Sequence, residues 1–102
     1  MEMILTGEPL PAPRAYELGL VSRLVEPGQA FDEAMKLANQ IALAAPMAVA
    51  ESRKVVLAAA YEDDDTLKKM TNQAMAKVMS SEDIKEGLVA FIEKRAPEWK
   101  NR

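Results

Sequence analysis

The apolar residues in the last two-thirds of this chain recur every three or four positions, and this spacing constrains the fold more than any other feature. Four such stretches follow one another between residues 31 and 92. A spacing of three and four places side chains on one face of an α-helix. Residues that favour helices, chiefly Ala, Leu, Met, Glu and Lys, are abundant, and β-branched residues are few. The sequence therefore predicts a mainly α fold with about four main helices.

Proline and acidic residues mark the limits of the first three helices. Pro46 ends the first and can start the second, which is predicted to run to about Tyr61. The acidic run of residues 62–65 supplies an N-cap and negative charge at the start of the third. The side chains predicted to face inward are Phe31, Ala34, Met35, Ala38, Ile41, Ala42, Ala45, Val49, Val56, Ala60, Leu67, Met70, Ala74, Val78 and Met79.

The fourth helix is bounded by serine and proline. Ser80 or Ser81, together with Asp83, resembles a capping box that opens it, and Pro97 stops it. Trp99, beyond the helix, is interpreted as a packing anchor. The side chains predicted to face inward from this helix are Ile84, Leu88, Phe91 and Ile92.

Residues 1–28 are predicted to form a connector. Gly7 closes a helical turn at the start, because glycine readily adopts the left-handed conformation that ends helices. Prolines at 9, 11 and 13 then prevent regular helix. Pro13 can occupy the first turn of a short helix from Arg14 to Leu18, which Gly19 closes. Residues 20–25 have the pattern of a strand. With no second strand in the sequence, they either stay irregular or pair with a strand outside it.

The length allows one small domain, which we predict to cover residues 1–102. Within it, the connector occupies residues 1–28 and the four helices residues 29–96. Residues 97–102 form a tail. The domain is predicted to consist of short helical turns followed by four longer helices.

Composition and charge exclude several classes of function. The chain has neither cysteine nor histidine, which excludes disulfides, thiolate or imidazole metal sites and histidine-activated nucleophiles. The net charge is −3, with no basic stripe, and this argues against nucleic-acid binding. No apolar run approaches the length of a membrane span, and the N-terminus lacks the features of a signal peptide. We therefore expect a cytoplasmic protein that does not bind membranes.

The carboxylates show no spacing typical of a catalytic or metal site. Glu8, Glu17 and Glu26 are interpreted as solvated surface acids. Residues 62–65 lack the glycine and the spaced ligands of a calcium loop, so helix capping is the better interpretation of this run. The seven methionines are interpreted as packing residues rather than as an adaptable binding groove. We predict no metal site and no catalytic residue.

Two stretches carry a family resemblance. The first consists of Leu5-Thr6-Gly7, Ala12, Ala15, Gly19-Leu20-Val21 and Pro27. The second consists of Ser81-Glu82-Asp83, Glu86-Gly87, Ala90-Phe91, Lys94-Arg95, Pro97, Trp99 and Arg102. In this order, joined by amphipathic helices, they closely resemble the C-terminal part of the enoyl-CoA hydratase/isomerase (crotonase) family. The proline-rich connector of residues 9–13 departs from the family pattern.

The resemblance implies a C-terminal helical, trimerisation region. In the family, a ββα spiral core precedes the Leu5-Thr6-Gly7 stretch and carries the acyl-CoA site, the oxyanion hole and the catalytic acids. That core is absent from this sequence, so we expect this chain to be inactive alone. No cofactor is implied, because coenzyme A enters as the thioester substrate in fatty acid metabolism. Hydratase (lyase), isomerase and hydrolase activities stay open for the enzyme.

The resemblance also implies a binding role for Phe91 and Lys94. Three positions apart, they lean toward the same side of the last helix. In relatives this helix closes over the acyl-CoA pocket, with the Phe along the acyl path and the Lys near the coenzyme A phosphates. A Lys point charge suits a phosphate. The alternative is a core Phe91 and a solvated Lys94.

The family's assembly implies a homo-oligomer, either a trimer or a dimer of trimers, with these helices at subunit contacts. Large exposed apolar faces are therefore expected on the isolated chain. The alternative function is a small helical module for self-assembly or partner binding, without catalysis. An unrelated four-helix bundle is a third hypothesis.

Overall fold

The computed structural model describes residues 1–102, apart from the side chain of Glu2. Over this described range the regular structure consists of six helices and no strand. The prediction of a mainly α fold is confirmed, because four of the helices have 12 to 16 residues. The helices are α1 Glu2–Thr6, α2 Ala12–Glu17, α3 Ala30–Ala42, α4 Pro46–Ala58, α5 Asp64–Met79 and α6 Glu82–Glu93.

The chain forms two compact units, Met1–Leu37 and Ala38–Arg102. In the first unit, Gly7 and Gly19 adopt left-handed conformations with φ of 71° and 72° and follow the short helices α1 and α2. These are the positions at which glycine was expected, because a Cβ disfavours positive φ. The single domain over residues 1–102 and its subdivisions stay a prediction.

Residues 20–25, which have a strand-like pattern, are irregular in the structure. This is one of the two predicted alternatives, and in the described chain no second strand offers them backbone partners. The Leu20 amide instead bonds the carbonyl of Ala15 at 2.9 Å. Arg23 pairs with Glu33 of α3, and this pair, followed by Lys36, lowers the pKa of the Glu33 carboxyl. One backbone bond to α2 and an ion pair with α3, rather than a strand ladder, therefore hold this segment.

In the second unit α4 packs against α5. The contact uses one half-buried face of each helix, and α5 presents the inward residues that periodicity predicts, Leu67, Met70, Ala74 and Val78. Glu51 of α4 accepts hydrogen bonds from Lys54 at 2.8 Å and from Lys77 of α5 at 2.6 Å. These two bonds lower the pKa of Glu51. An ion pair between two helices therefore supplements the apolar contact.

Many side chains predicted to face inward are exposed. Ala90 is the one hydrophobic residue buried in the described residues, at 2% exposure, whereas Phe91 is 84% and Ile92 77% exposed. The prediction is also wrong for other residues that are exposed as well, namely Phe31, Ala34, Met35, Ala38, Ile41, Ala42, Val56, Ala60, Met79 and Leu88. Periodicity identifies the apolar face of a helix but not what covers it. The expected large exposed apolar faces are present.

The helix starts agree with the capping predictions in part. Asp63 caps α5 by accepting the Thr66 amide at 2.8 Å, and this bond lowers the pKa of the Asp63 carboxyl. Ser81 caps α6 by accepting the Ile84 amide at 3.3 Å. The interpretation of Asp83 as part of a capping box is wrong, because its carboxylate binds the C-terminal tail instead. None of the helices in the described residues is long and apolar enough to cross a bilayer.

Replacing Ser81 with alanine should lower the free energy of unfolding by about 1 kcal/mol, because the Ile84 amide loses its capping acceptor. Denaturant unfolding followed by circular dichroism measures this change. Ser80→Ala is the matched control, since this neighbouring serine is exposed and its hydroxyl bonds only a carbonyl of the preceding turn. The control should change stability by less than about 0.5 kcal/mol. Equal effects of the two substitutions would contradict the capping role.

Candidate functional site

The C-terminal end of α6 carries the two residues that the sequence singles out for binding. Phe91 lies in the last turn, and Lys94 closes the helix in a left-handed conformation with φ of 54°. The Lys94 amide bonds the carbonyl of Phe91 at 3.3 Å, and the Arg95 amide bonds that of Ala90 at 3.1 Å. This pair of bonds is the Schellman arrangement, which satisfies the last carbonyls of a helix. The chain reverses direction at Lys94.

Residues 95–102, which we call the return segment, run back along α6. Arg95 binds Glu86 through both terminal nitrogens, with Nη1–Oε1 at 2.6 Å and Nη2–Oε2 at 3.1 Å. Its Nε also donates to the Glu93 carboxylate at 2.7 Å. The Glu98 amide donates to Oε1 of Glu86 at 2.8 Å. One carboxylate on α6 therefore holds the first half of the return segment at two points.

Asp83 holds the second half of the return segment. Its two carboxylate oxygens accept the amides of Lys100 at 2.7 Å and Asn101 at 3.0 Å, and the residue is only 2% exposed. A buried carboxylate costs free energy unless hydrogen bonds compensate for lost hydration, and these two amides supply them. The chain end continues the pairing, because the Glu82 amide donates to the Arg102 carbonyl at 2.6 Å.

Trp99 anchors the return segment between two elements. Its Nε1 donates to the carbonyl of Leu43 at 3.0 Å. Its ring lies so close to Gly87 of α6 that a Cβ there would approach the ring at 3.3 Å. Glycine at this helical position therefore leaves room for the indole. The prediction of Trp99 as a packing anchor is confirmed.

The family-like residues at the C-terminus thus include a group with a shared structural role. Asp83 and Glu86 lie three positions apart and face the same side of α6, where they bind backbone amides of the return segment. Both residues belong to the stretch that carries the family resemblance, but the sequence pattern did not predict that they bind the return segment. The signal that could have found them is a pair of carboxylates at helical spacing, close in sequence to a short segment beyond Pro97.

Hydrogen bonds fix the ionisation of the central pair. The Arg95 guanidinium, followed by the Glu98 amide, lowers the pKa of the Glu86 carboxyl to about 2. The same carboxylate, and then Glu93, raises the pKa of Arg95 above its ordinary value. Both groups are therefore charged throughout the physiological range of pH.

Phe91 and Lys94 lie outside the face that the return segment covers. The Phe91 side chain is exposed beside Leu88 and Ile92 in sequence, so it is not a core residue of this chain. Lys94 is also exposed, and the described residues contain no ion pair that involves it. Whether the two bind a ligand stays a prediction.

The other acidic residues are arranged as surface groups. Glu8, Glu17 and Glu26 are exposed, and Asp63–Asp65 cap and flank the start of α5. No cluster of three Asp or Glu side chains that could hold a metal ion occurs among the residues described. The ordered carboxylates of the second unit therefore bind the chain itself.

Comparison with known proteins gives a consistent family match. The family model described as enoyl-CoA hydratase/isomerase matches residues 1–102. The carnitinyl-CoA dehydratase of Proteus mirabilis is 38% identical over 105 residues, which is 99% of this chain and 40% of that protein. The short-chain-enoyl-CoA hydratase of Clostridium acetobutylicum is 36% identical over 102 residues, 99% of this chain and 39% of that protein.

Solved structures agree. The crystal structure of an enoyl-CoA hydratase from Mycobacterium tuberculosis H37Rv superposes with a TM-score of 0.93 at 41% identity. The match covers 100% of this chain and 40% of that one. An enoyl-CoA hydratase from Bacillus anthracis gives a TM-score of 0.92 at 35% identity, over 99% of this chain and 39% of that one. The chain therefore spans about two-fifths of the length of these relatives.

The free energy of unfolding should fall in acid partly through Glu86. Its pKa is about 2 in the folded chain and near 4.5 when unfolded, so the unfolded state binds the proton more readily. Its stabilising contribution is therefore complete above pH 4.5 and is lost as the pH falls from 4.5 through 2. Denaturant unfolding of the wild type and Glu86→Gln between pH 6 and pH 2 measures this. The variant should show the smaller dependence on pH in that window, and parallel curves would contradict the assignment.

Proposed function

The chain belongs to the enoyl-CoA hydratase/isomerase family, and we propose that it forms the C-terminal helical part of an enzyme acting on acyl-CoA thioesters. The observation that carries the proposal is the match of the whole described chain, in sequence and in structure, to about two-fifths of several enoyl-CoA hydratases. The absence of cysteine supports a cytoplasmic setting.

We propose that this part alone does not turn over an acyl-CoA substrate. Adding or moving a proton beside a thioester requires an available acid or base and preorganised donors for the developing oxyanion. The two carboxylates of α6 that face the return segment are already engaged, Asp83 by two backbone amides and Glu86 by Arg95. A carboxylate with a pKa of about 2 is a poor proton acceptor near neutral pH.

Within the enzyme, Phe91 and Lys94 contact the acyl-CoA substrate. Exposure supports this, because Phe91 is available as an apolar wall and the Lys94 ammonium is not committed to an ion pair in the described chain. A compact ammonium group can bind a phosphate without a fixed geometry. The nearby guanidinium of Arg95 is less suited to this task, since Glu86 and Glu93 occupy it.

Hydration of crotonyl-CoA tests the proposal. The 102-residue chain should produce no hydration above background. A fusion in which this chain replaces the matching part of the Clostridium acetobutylicum short-chain-enoyl-CoA hydratase should hydrate the substrate. Turnover by the isolated chain, retained through purification, would contradict the proposed inactivity.

Lys94→Ala in the same fusion should raise KM for crotonyl-CoA about fivefold, equivalent to about 1 kcal/mol for an exposed charge contact. The rate constant kcat should stay within about twofold, because the contact lies far from the reacting atoms. Lys85→Ala, an exposed lysine near the start of α6, is the matched control and should leave KM unchanged. An unchanged KM for Lys94→Ala would remove the phosphate contact.

Self-assembly is a second candidate function, favoured by the exposed apolar faces. The clearest of these is a groove between α4 and α5, lined mainly by small and apolar side chains. We propose that a second copy of the chain covers it in a trimer or a dimer of trimers. The groove residues include Ala48, Ser52, Val55, Val56, Ala74, Met75 and Val78.

Light scattering measures the assembly directly. The chain has a mass of 11.2 kDa, and the expected particle has at least three times that mass. Val56→Asp places a charge in the groove at a side chain that is exposed in the single chain, and it should reduce the particle to a monomer. Lys69→Asp, on the exposed side of α5, should not. A monomeric wild type would contradict the assembly.

A further inference from the structure

Lys94 occupies a conformation that does not suit its side chain. Gly7, Gly19 and Gly28 fill three left-handed positions, and among the described non-glycine residues only Lys94 and Asn101 have positive φ. A Cβ makes this conformation costly, which is why glycine usually ends a helix in this way. Lysine at the end of α6 therefore needs surrounding interactions that hold it there.

The return segment supplies those interactions. Directly after Lys94, Arg95 is bound to Glu86 by two hydrogen bonds and to Glu93 by a third. Further along, the Glu86 carboxylate accepts a hydrogen bond from the Glu98 amide. The Asp83 carboxylate accepts hydrogen bonds from the amides of Lys100 and Asn101. Each bond requires the chain to turn back along α6, and the left-handed Lys94 is the residue that makes the turn.

We propose that Asp83, Glu86 and Arg95 are positioning residues, which hold the Lys94 backbone at the apex of the reversal so that its side chain leaves the helix end in a fixed direction, from which its ammonium reaches the phosphate of an acyl-CoA thioester. The inference rests on the proposed function and deepens it by assigning the residues that orient the phosphate contact. Because the return segment fixes the backbone at residue 94, less freedom is lost when the ligand binds.

The pH dependence of this arrangement is set by the groups around Glu86. Those in contact with it are the Arg95 guanidinium and the Glu98 amide, with the Lys100 charge nearby. Its pKa of about 2 keeps it ionised wherever the enzyme works. The positioning is therefore permanent and does not act as a pH switch in the physiological range.

Nuclear magnetic resonance on the 102-residue chain tests the positioning directly. The Cα and Cβ shifts of residue 94 report on positive φ, and hydrogen exchange reports on the amides of Glu98, Lys100 and Asn101. Glu86→Gln replaces one acceptor oxygen with a donor, so the Glu98 amide should exchange about tenfold faster. The Cα and Cβ chemical shifts of residue 94 should also move away from the values typical of a left-handed conformation. Lys85→Ala should change neither. Unchanged shifts and exchange in Glu86→Gln would overturn the positioning role.

Lys94→Gly separates strain from function. Glycine removes the cost of the left-handed conformation, so the variant should melt at a higher temperature while the amides of Lys100 and Asn101 stay protected. In the hydratase fusion it should nevertheless raise KM as Lys94→Ala does. A lower melting temperature would contradict the claim that the return segment holds lysine in an unfavourable conformation.

A double-mutant cycle of Glu86 and Lys94 in the fusion tests whether the positioning affects substrate binding. Glu86→Gln should raise KM with little change in kcat, and adding it to Lys94→Ala should raise KM no further, because Glu86 acts through Lys94. Arg95→Lys, which loses the paired hydrogen bonds, should give an intermediate KM. Additive effects of the Glu86 and Lys94 changes would mean a purely structural role and would overturn the inference.

The two proposals fail in different ways. If Lys94→Ala leaves KM unchanged, the phosphate contact is wrong, and with it the functional part of the inference. If Lys94→Ala raises KM but Glu86→Gln does not, the contact stands and the positioning is wrong. The resonance measurement on the 102-residue chain decides the positioning even where a fusion variant does not fold.

Discussion

The second unit depends on two carboxylates of α6 that bind backbone amides of the return segment. Asp83 and Glu86 together accept hydrogen bonds from three backbone amides of residues 95–102. Glu86 also accepts hydrogen bonds from the Arg95 guanidinium. Backbone amides must find partners when they leave water, and an ionised oxygen is a strong one. This pairing converts a short tail, which has no regular structure, into an ordered layer along the helix. It also explains why Asp83 tolerates nearly complete burial.

Because the return segment binds one side of α6, the helix has two different faces. The face under the return segment carries Asp83, Glu86 and Gly87, and the glycine leaves room for the Trp99 ring. The other face leaves Phe91 and Ile92 in solvent. Apolar side chains of this size often mark a contact surface when they are exposed together, so this face is a candidate surface for binding. The same helix thus serves structure on one side and is available for binding on the other.

Much of the fold could be predicted from the sequence, but the side-chain environments could not. Periodicity and capping residues predicted the four main helices, and glycine predicted the ends of α1 and α2. The inward positions Leu67, Met70, Ala74 and Val78 of α5 were correct, whereas Met79 at its end is exposed. In α4, Val56 proved exposed and Val55 half-buried. Neighbouring positions on a helix differ by about a quarter of a turn, and only the position of the facing helix selects between them. Asp83 was misassigned for a similar reason, because its partners lie beyond the helix.

The sequence by itself determined the helical class, the starts of the four main helices, the family and the absence of histidine and cysteine chemistry. These follow from local propensity, residue type and order along the chain. The tertiary structure alone decided that the Asp83–Glu86 pair serves the chain end, that Lys94 turns the chain in a left-handed conformation, and that Phe91 is exposed. Each of these depends on which residues, distant along the chain, come within hydrogen-bonding or packing distance, and no local pattern encodes that distance.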